Sequence, residues 1–315
     1  MGYLMRIAVF GTGGVGGYFG GRLAHAGEDV VFIARGEHLR ALRSDGLRVD
    51  SPDGDFTVCP AQAAEDPQEV GPVDAVILGV KAWQVGQAAE AMRPLIGPAT
   101  FVVPLENGVE APSQLAAVLG SEHVFGGFCY IVSFIVGPGR IKHGGMKPYV
   151  AFGELDNRPS ERGHRLLDAF SQAGVTAEMP ADIHAAMWGK FLFIASLSGV
   201  GAVTRAPAGV MRTLPETRQM LEEAVKEIAA VAKARKINLK DDAVSATMAV
   251  IDGLPPQTTA SMQRDIMEGR PSELSSQNGA VVRLGRERGV PVPLNEFIYS
   301  SLLPLELRAR GEVQF

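Results

Sequence analysis

The chain has 315 residues, 46% hydrophobic and 21% charged, with a formal net charge of −5: room for two domains and the composition of a soluble globular protein. The mild charge, with no long single-sign run, argues against a nucleic-acid-binding protein, which carries a basic face. Two distant cysteines, Cys59 and Cys129, and six histidines without ligand spacing argue against a disulfide framework or a metal centre.

Residues 7–10 form a short apolar run that reads as a strand and leads into Gly11-Thr12-Gly13-Gly14-Val15-Gly16. Gly11, Gly13 and Gly16 fit G-x-G-x-x-G, and a helical pattern through Tyr18, Leu23 and Ala26 follows. Strand, tight turn and helix is the order a dinucleotide site needs: one glycine for the turn, one for pyrophosphate approach, one for helix–strand packing. The helix N-terminus offers unpaired N–H groups to phosphates. A second strand is predicted over 30–33, and the first polar residue after it is Arg35. An NAD-selective site carries an acidic residue there for the ribose 2′-hydroxyl, whereas a guanidinium suits a 2′-phosphate. The sequence therefore favours NADPH, with Arg40 available to share the contact.

Two short alternating runs, 47–50 and 55–58, flank Pro52-Asp53-Gly54 and read as a hairpin. Residues 73–80 are nearly all apolar, as in a parallel strand covered on both faces, and Lys81 follows them directly. Ligands collect at such strand ends, so Lys81 reads either as a cofactor contact or as a snorkelling lysine. A helix over 84–92 and a strand over 101–105 lead to Asn107-Gly108, where Asn107 is either a ligand contact or a turn residue. Segments 124–136, 139–143 and 149–152 read as antiparallel additions to the sheet; a helix over 160–173 and a strand over 175–178 follow. From residue 182 the strand signal stops. Helices are predicted over 182–199, 215–236, 239–252, 257–268, 272–288 and 294–310. The expected organisation is an α/β dinucleotide-binding domain over 1–180 and an all-α domain over 181–315. No run approaches 18 uninterrupted apolar residues and no leader pattern opens the chain, which favours a cytoplasmic protein with no membrane partner.

Three residues of the helical half invite chemistry. Lys190 lies in Met187-Trp188-Gly189-Lys190-Phe191-Leu192-Phe193, where burial would disfavour its charge and suit it to proton transfer; the alternative is an amine that reaches water along its stem. Ser261 and Glu273 each stand at a predicted helix start, where a carboxylate is kept ionised; both could equally be helix-start residues without a ligand.

Taken in order, the glycine loop, Val80-Lys81-Ala82-Trp83-Gln84, Asn107-Gly108, Trp188-x-Lys190, Ser261-Met262-x-x-Asp265 and Glu273-x-x-x-x-Asn278-Gly279 closely resemble the ketopantoate reductase (2-dehydropantoate 2-reductase) family over nearly the whole chain. The resemblance implies an N-terminal Rossmann domain, a helical C-terminal domain like that of 6-phosphogluconate dehydrogenase, and NADPH in the cleft between them. It implies reduction of ketopantoate to (R)-pantoate, a step toward pantothenate and coenzyme A. By position, Lys190 matches the family's general acid, Glu273 the carboxylate that holds the substrate hydroxyl and Ser261 a substrate-carboxylate contact. Asn107 matches the residue where nicotinamide meets substrate. Gly11, Gly13, Gly14, Val15, Gly16, Arg35 and Lys81 match cofactor contacts, joined by Asn107 and Glu273. The family pattern places asparagines four and eight residues after the lysine; this chain has Ile194 and Ser198. Ser198 can keep part of that role as a substrate contact, and Ile194 favours a more apolar 2-oxo acid or polar groups supplied from elsewhere. The readings carried forward are ketopantoate reduction, reduction of another branched 2-oxo acid, and a non-catalytic NADPH sensor. The helical half has apolar surface enough for a homodimer, without an identifiable interface patch.

Overall fold

The computed structural model describes residues 4–315, and the chain divides into two compact units. The first comprises the residues up to Glu106 together with Ala111–Ile183; the second comprises Asn107–Glu110 and His184–Phe315.

The first unit begins with β1 (Arg6–Phe10), α1 (Gly14–His25), β2 (Asp29–Ile33), α2 (Gly36–Ser44), β3 (Leu47–Asp50), β4 (Phe56–Val58) and β5 (Gln62–Ala64). It continues with β6 (Ala75–Leu78), α3 (Val85–Ala91), β7 (Phe101–Pro104), α4 (Ala111–Leu119), β8 (Phe125–Tyr130), β9 (Ser133–Gly137), β10 (Arg140–His143), β11 (Tyr149–Glu154), α5 (Glu161–Gln172) and β12 (Thr176–Glu178). Five strands form a parallel sheet in the order β5-β2-β1-β6-β7. Alternate residues serve opposite faces: Ile7 and Val9 join one core with Phe19 and Leu23 of α1, while Ala8 and Phe10 join another with Val85 and Ala88 of α3. Helices on both faces explain why these strands are apolar at nearly every position. The chain leaves β1 for β2 on one side and reaches β6 on the other, so the topological switch point lies at the carboxyl end of β1, where Rossmann sheets bind ligands.

The structure corrects the expected additions to this sheet. β3 and β4 form the predicted hairpin, but β10 and β9 join it to make a separate sheet, β4-β3-β10-β9, and β12-β11-β8 make a third. Two of the new pairings, β10 with β3 and β12 with β11, are parallel. The reason is visible in β10, whose residues alternate exposed and buried. Such a strand suits a sheet covered on one face: Ile141 is fully buried where a Cβ on Gly17 of α1 would meet it at 2.9 Å. β5 was not anticipated; Gln62-Ala63-Ala64 carries no β-branched signal and becomes a strand by pairing with Val31–Ile33.

The second unit contains α6 (Ile183–Thr204, its first residue grouped with the first unit), α7 (Ala208–Thr213), α8 (Pro215–Ala234), α9 (Ala243–Gly253), α10 (Ser261–Met267), α11 (Asn278–Arg288) and α12 (Pro293–Ala309). By length and composition α6 could cross a membrane, yet 72% of its most apolar window is buried; it is a core helix, contributing Phe191, Leu192, Ala195 and Val200 to a cluster with Leu221, Val225 and Ile228 of α8. α8 buries Leu221, Ala224, Val225, Ile228, Val231 and Ala232, the apolar stripe of an amphipathic helix. Three predicted helices are shorter than expected: that over 239–252 starts at Ala243. That over 257–268 starts at Ser261, after a turn at Pro255. That over 272–288 is broken at Gln277 (φ −106°, ψ −97°), leaving a short 3₁₀ turn, Leu274–Ser276, ahead of α11.

Candidate active site

The glycine loop owes its shape to close backbone approaches. Gly11 has φ +96°, and a Cβ there would meet Val80 at 2.7 Å. A Cβ on Gly16 would lie 2.2 Å from the Gly11 carbonyl oxygen, and one on Gly79 would meet Gly16 N at 2.9 Å. Three glycines thus let β1, α1 and the end of β6 converge; Gly79 carried no role in the sequence reading, though a glycine closing an apolar strand signals such an approach. Gly14 is constrained by protein rather than left open, since its Cβ would meet the Ser133 carbonyl oxygen of β9 at 2.5 Å. At Gly13 a Cβ would find only Gly79 O, at 3.7 Å, so this backbone remains approachable. Gly13 caps α1 without a side-chain bond, and the first turn holds no acidic residue. The positive end of the helix is uncompensated and fits an anionic pyrophosphate. Thr12 Oγ1 donates to Ile33 O at 3.1 Å, tying the loop to the end of β2.

Arg35 follows β2 as the N-cap of α2 and is exposed; Arg40 is exposed too and lies 3.7 Å from Glu37. Behind them, His38 Nδ1 accepts the Gly139 N–H at 3.1 Å, and burial pushes its imidazole below the ordinary histidine value. Lys81 is exposed, its ammonium 5.7 Å from the centre of the Trp83 ring, and its N–H donates to Gln84 Oε1 at 3.1 Å. That last bond accounts for the glutamine of the motif, which closes the turn that presents the lysine.

The remaining residues lie in the second unit, where one pair of them is in contact. Asn107 Nδ2 donates to Glu273 Oε2 at 2.9 Å across 166 positions of chain. Glu273 is 5% exposed, on the turn before α11, and Gln277 Nε2 makes a longer contact of 3.5 Å to the same oxygen. Lys190 is 7% exposed on α6, flanked by buried Trp188, Phe191 and Leu192. Ser198 lies two turns further along the same helix and is fully buried; its Oγ makes no hydrogen bond among the described residues, unlike Ser196 Oγ, which donates to Leu192 O at 2.6 Å. Ile194 between them is half-buried and packs on the core. Ser261 opens α10 and is half-buried. In the same motif Asp265 accepts two bonds from Arg270, which closes the end of α10.

Asn278 had a place in a motif but no role in the sequence reading. Its Nδ2 donates to Ala195 O of α6 at 3.3 Å and to Asn295 Oδ1 at 3.0 Å. Asn295 Nδ2 donates in turn to Glu227 Oε2 at 2.7 Å, a carboxylate that also accepts the Leu294 and Asn295 N–H groups at the start of α12. The charge at Glu227 fixes both amide orientations, leaving Asn278 Oδ1, buried and unbonded among the described residues, beside α6. Polar groups therefore do reach α6 from another helix. No group of three or more metal-ligating side chains occurs among the described residues.

Residues 7–157 match the family model described as ketopantoate reductase PanE/ApbA, and residues 182–306 match ketopantoate reductase PanE/ApbA C terminal. The chain is 30% identical over 300 residues to YkpB of Bacillus subtilis (strain 168), described as an uncharacterized oxidoreductase, covering 95% of this chain and 98% of that protein. It is 30% identical over 310 residues to a 2-dehydropantoate 2-reductase of Mesorhizobium japonicum, with 92% and 94% covered. A crystal structure of a PanE/ApbA family ketopantoate reductase from Ralstonia eutropha JMP134 superposes with a TM-score of 0.88 at 30% identity, with 97% and 100% covered. A Rossmann unit and a helical unit, each matched by its own family model and in family order, make this chain a member of the ketopantoate reductase family of oxidoreductases.

Proposed function

We propose that this protein is an NADPH-dependent 2-oxo acid reductase that converts ketopantoate to (R)-pantoate, acting in the cytoplasm on the route to pantothenate. The observation that carries the reading is the Asn107–Glu273 pair: two residues from separate motifs, hydrogen-bonded at 2.9 Å with the carboxylate almost fully buried. Bound at the glycine loop, NADPH would supply the hydride; Arg35 and Lys81 would hold its phosphates by charge. Lys190 offers an ammonium to the substrate's carbonyl oxygen as negative charge develops there, and then donates the proton that makes the alcohol. Glu273, oriented by Asn107, accepts the substrate hydroxyl, while Ser261 binds the carboxylate. The protein's share is alignment of these groups.

The half-buried Ile194 favours a second reading within the same chemistry, a more apolar branched 2-oxo acid. NADPH oxidation at 340 nm with ketopantoate, 2-oxoisovalerate, pyruvate and oxaloacetate separates the two. A dominant kcat/KM for ketopantoate is expected; dominance of another acid overturns the pathway assignment, and NADPH binding without turnover on any of them favours a sensor. The same assay with Arg35→Ala should lose the preference for NADPH over NADH, and an unchanged preference removes Arg35 from the cofactor site.

A further inference from the structure

We infer that Glu306 is a positioning residue for substrate binding, acting through Ser272 on the Glu273 carboxylate; this rests on the reading of Glu273 given above. Glu306 lies in the last turns of α12 and is 2% exposed. Its carboxylate accepts the Ser272 N–H, at 3.1 Å by Oε1 and 2.9 Å by Oε2, and the Ser272 hydroxyl at 2.5 Å. Arg310, one helical turn on, donates to Glu306 Oε1 at 2.6 Å and to the Ser272 carbonyl oxygen at 3.1 Å. The Leu274 N–H donates to Ser272 Oγ at 3.2 Å. Every polar group of Ser272 is therefore held, and Pro271 ahead of it fixes its own φ. Ser272 is the residue before Glu273, in a segment where the regular helix is interrupted, so the clamp does what helical hydrogen bonds do elsewhere: it sets the backbone from which Glu273 projects.

A buried carboxylate is costly unless it is paired and hydrogen-bonded. An apolar residue could pack α12 at that position, but it could not fix the turn from which Glu273 projects. A carboxylate that must meet a substrate hydroxyl within a few tenths of an ångström gains from such a backbone anchor. A general packing role and a role exerted through Glu273 make different predictions when Glu273 is already gone.

The test is a double-mutant cycle of Glu306→Gln and Glu273→Ala in the full chain, reading KM for ketopantoate, kcat, NADPH affinity by fluorescence titration and the melting temperature. Glu306→Gln is expected to raise KM about fivefold in the native background, with NADPH affinity unchanged, and to add nothing to Glu273→Ala. An equal KM effect in both backgrounds, or none in the native one, overturns the proposal while leaving Glu273 in place. An unchanged KM in Glu273→Ala alone overturns the reading of Glu273 and the clamp with it. Ser272→Ala, which removes one bond to the same carboxylate without altering a buried charge, is put through the same cycle if Glu306→Gln does not fold, with the same outcomes deciding.

Discussion

Lys190 illustrates how much one side chain's surroundings decide. At 7% exposure, among Trp188, Phe191 and Leu192, the residue as a whole is largely withdrawn from solvent. Lys190→Met keeps the length and apolar stem and removes the ammonium. Turnover is expected to fall by roughly 10²-fold or more, the usual worth of a positioned general acid, with NADPH affinity unchanged by fluorescence titration. Near-native turnover would end its assignment as the acid. The two positions that depart from the family pattern differ in kind. Ile194 is absorbed into packing, whereas Ser198 keeps a fully buried hydroxyl that makes no hydrogen bond among the described residues. A buried hydroxyl left unbonded costs about 1–3 kcal/mol, which is reason to regard Ser198 as more than a small packing residue.

At the scale of elements, the glycine loop and the helix after it depend on which glycines are filled against. Alanine is favoured over glycine inside a helix by about 1 kcal/mol. In α1 that gain is overridden at Gly16, because the new Cβ would lie 2.2 Å from the Gly11 carbonyl oxygen, a backbone atom that no rotamer can move. Gly86 in α3 is exposed, with nothing within 4 Å of its Cβ position. Urea unfolding should therefore show opposite signs: Gly86→Ala stabilising by about 0.5–1 kcal/mol and Gly16→Ala destabilising by about 1–3 kcal/mol. A stabilised Gly16→Ala would mean that α1 does not press against the loop. The same contrast explains what was legible in the sequence. The strand–glycine–helix order and the fully apolar strands announce a two-faced parallel sheet, because their periodicity is local. The regrouping of β10 with the 47–58 hairpin was not legible, since it depends on one-sided burial against α1, and β9 joins that sheet by pairing with β10. β5 is a strand only through its pairing with β2. Glu273 and Asn107 stood out by motif, but the carboxylate clamp behind them did not: Glu306 reads as an ordinary i, i+4 partner of Arg310 on a terminal helix, and only folding brings it to Ser272.

The whole molecule distributes its labour between two units with separate cores, and the two tryptophans report on them individually. Trp83 belongs to the first unit, beside Lys81; Trp188 is buried in the second, stacked edge-on with Phe191 at 5.6 Å. The glycine loop, Arg35 and Lys81 all lie in the first unit, so on the function proposed above a dinucleotide held mainly by them would add its binding energy to the folded state of that unit. In Trp188→Phe the remaining indole isolates this contribution. NADP⁺ is the suitable ligand, since the reduced nicotinamide absorbs where indole emits. At about 100 times its dissociation constant it should raise the unfolding free energy read by Trp83 by about 2.7 kcal/mol, seen as a shift of the urea midpoint with the slope unchanged. At that same NADP⁺ concentration the shift should be reduced in Arg35→Ala if the 2′-phosphate is held by the guanidinium. A Trp83 transition indifferent to NADP⁺ would remove the cofactor from the first unit, and the reductase reading with it, because no arrangement of Lys190, Asn107 and Glu273 can reduce a ketone without a bound source of hydride.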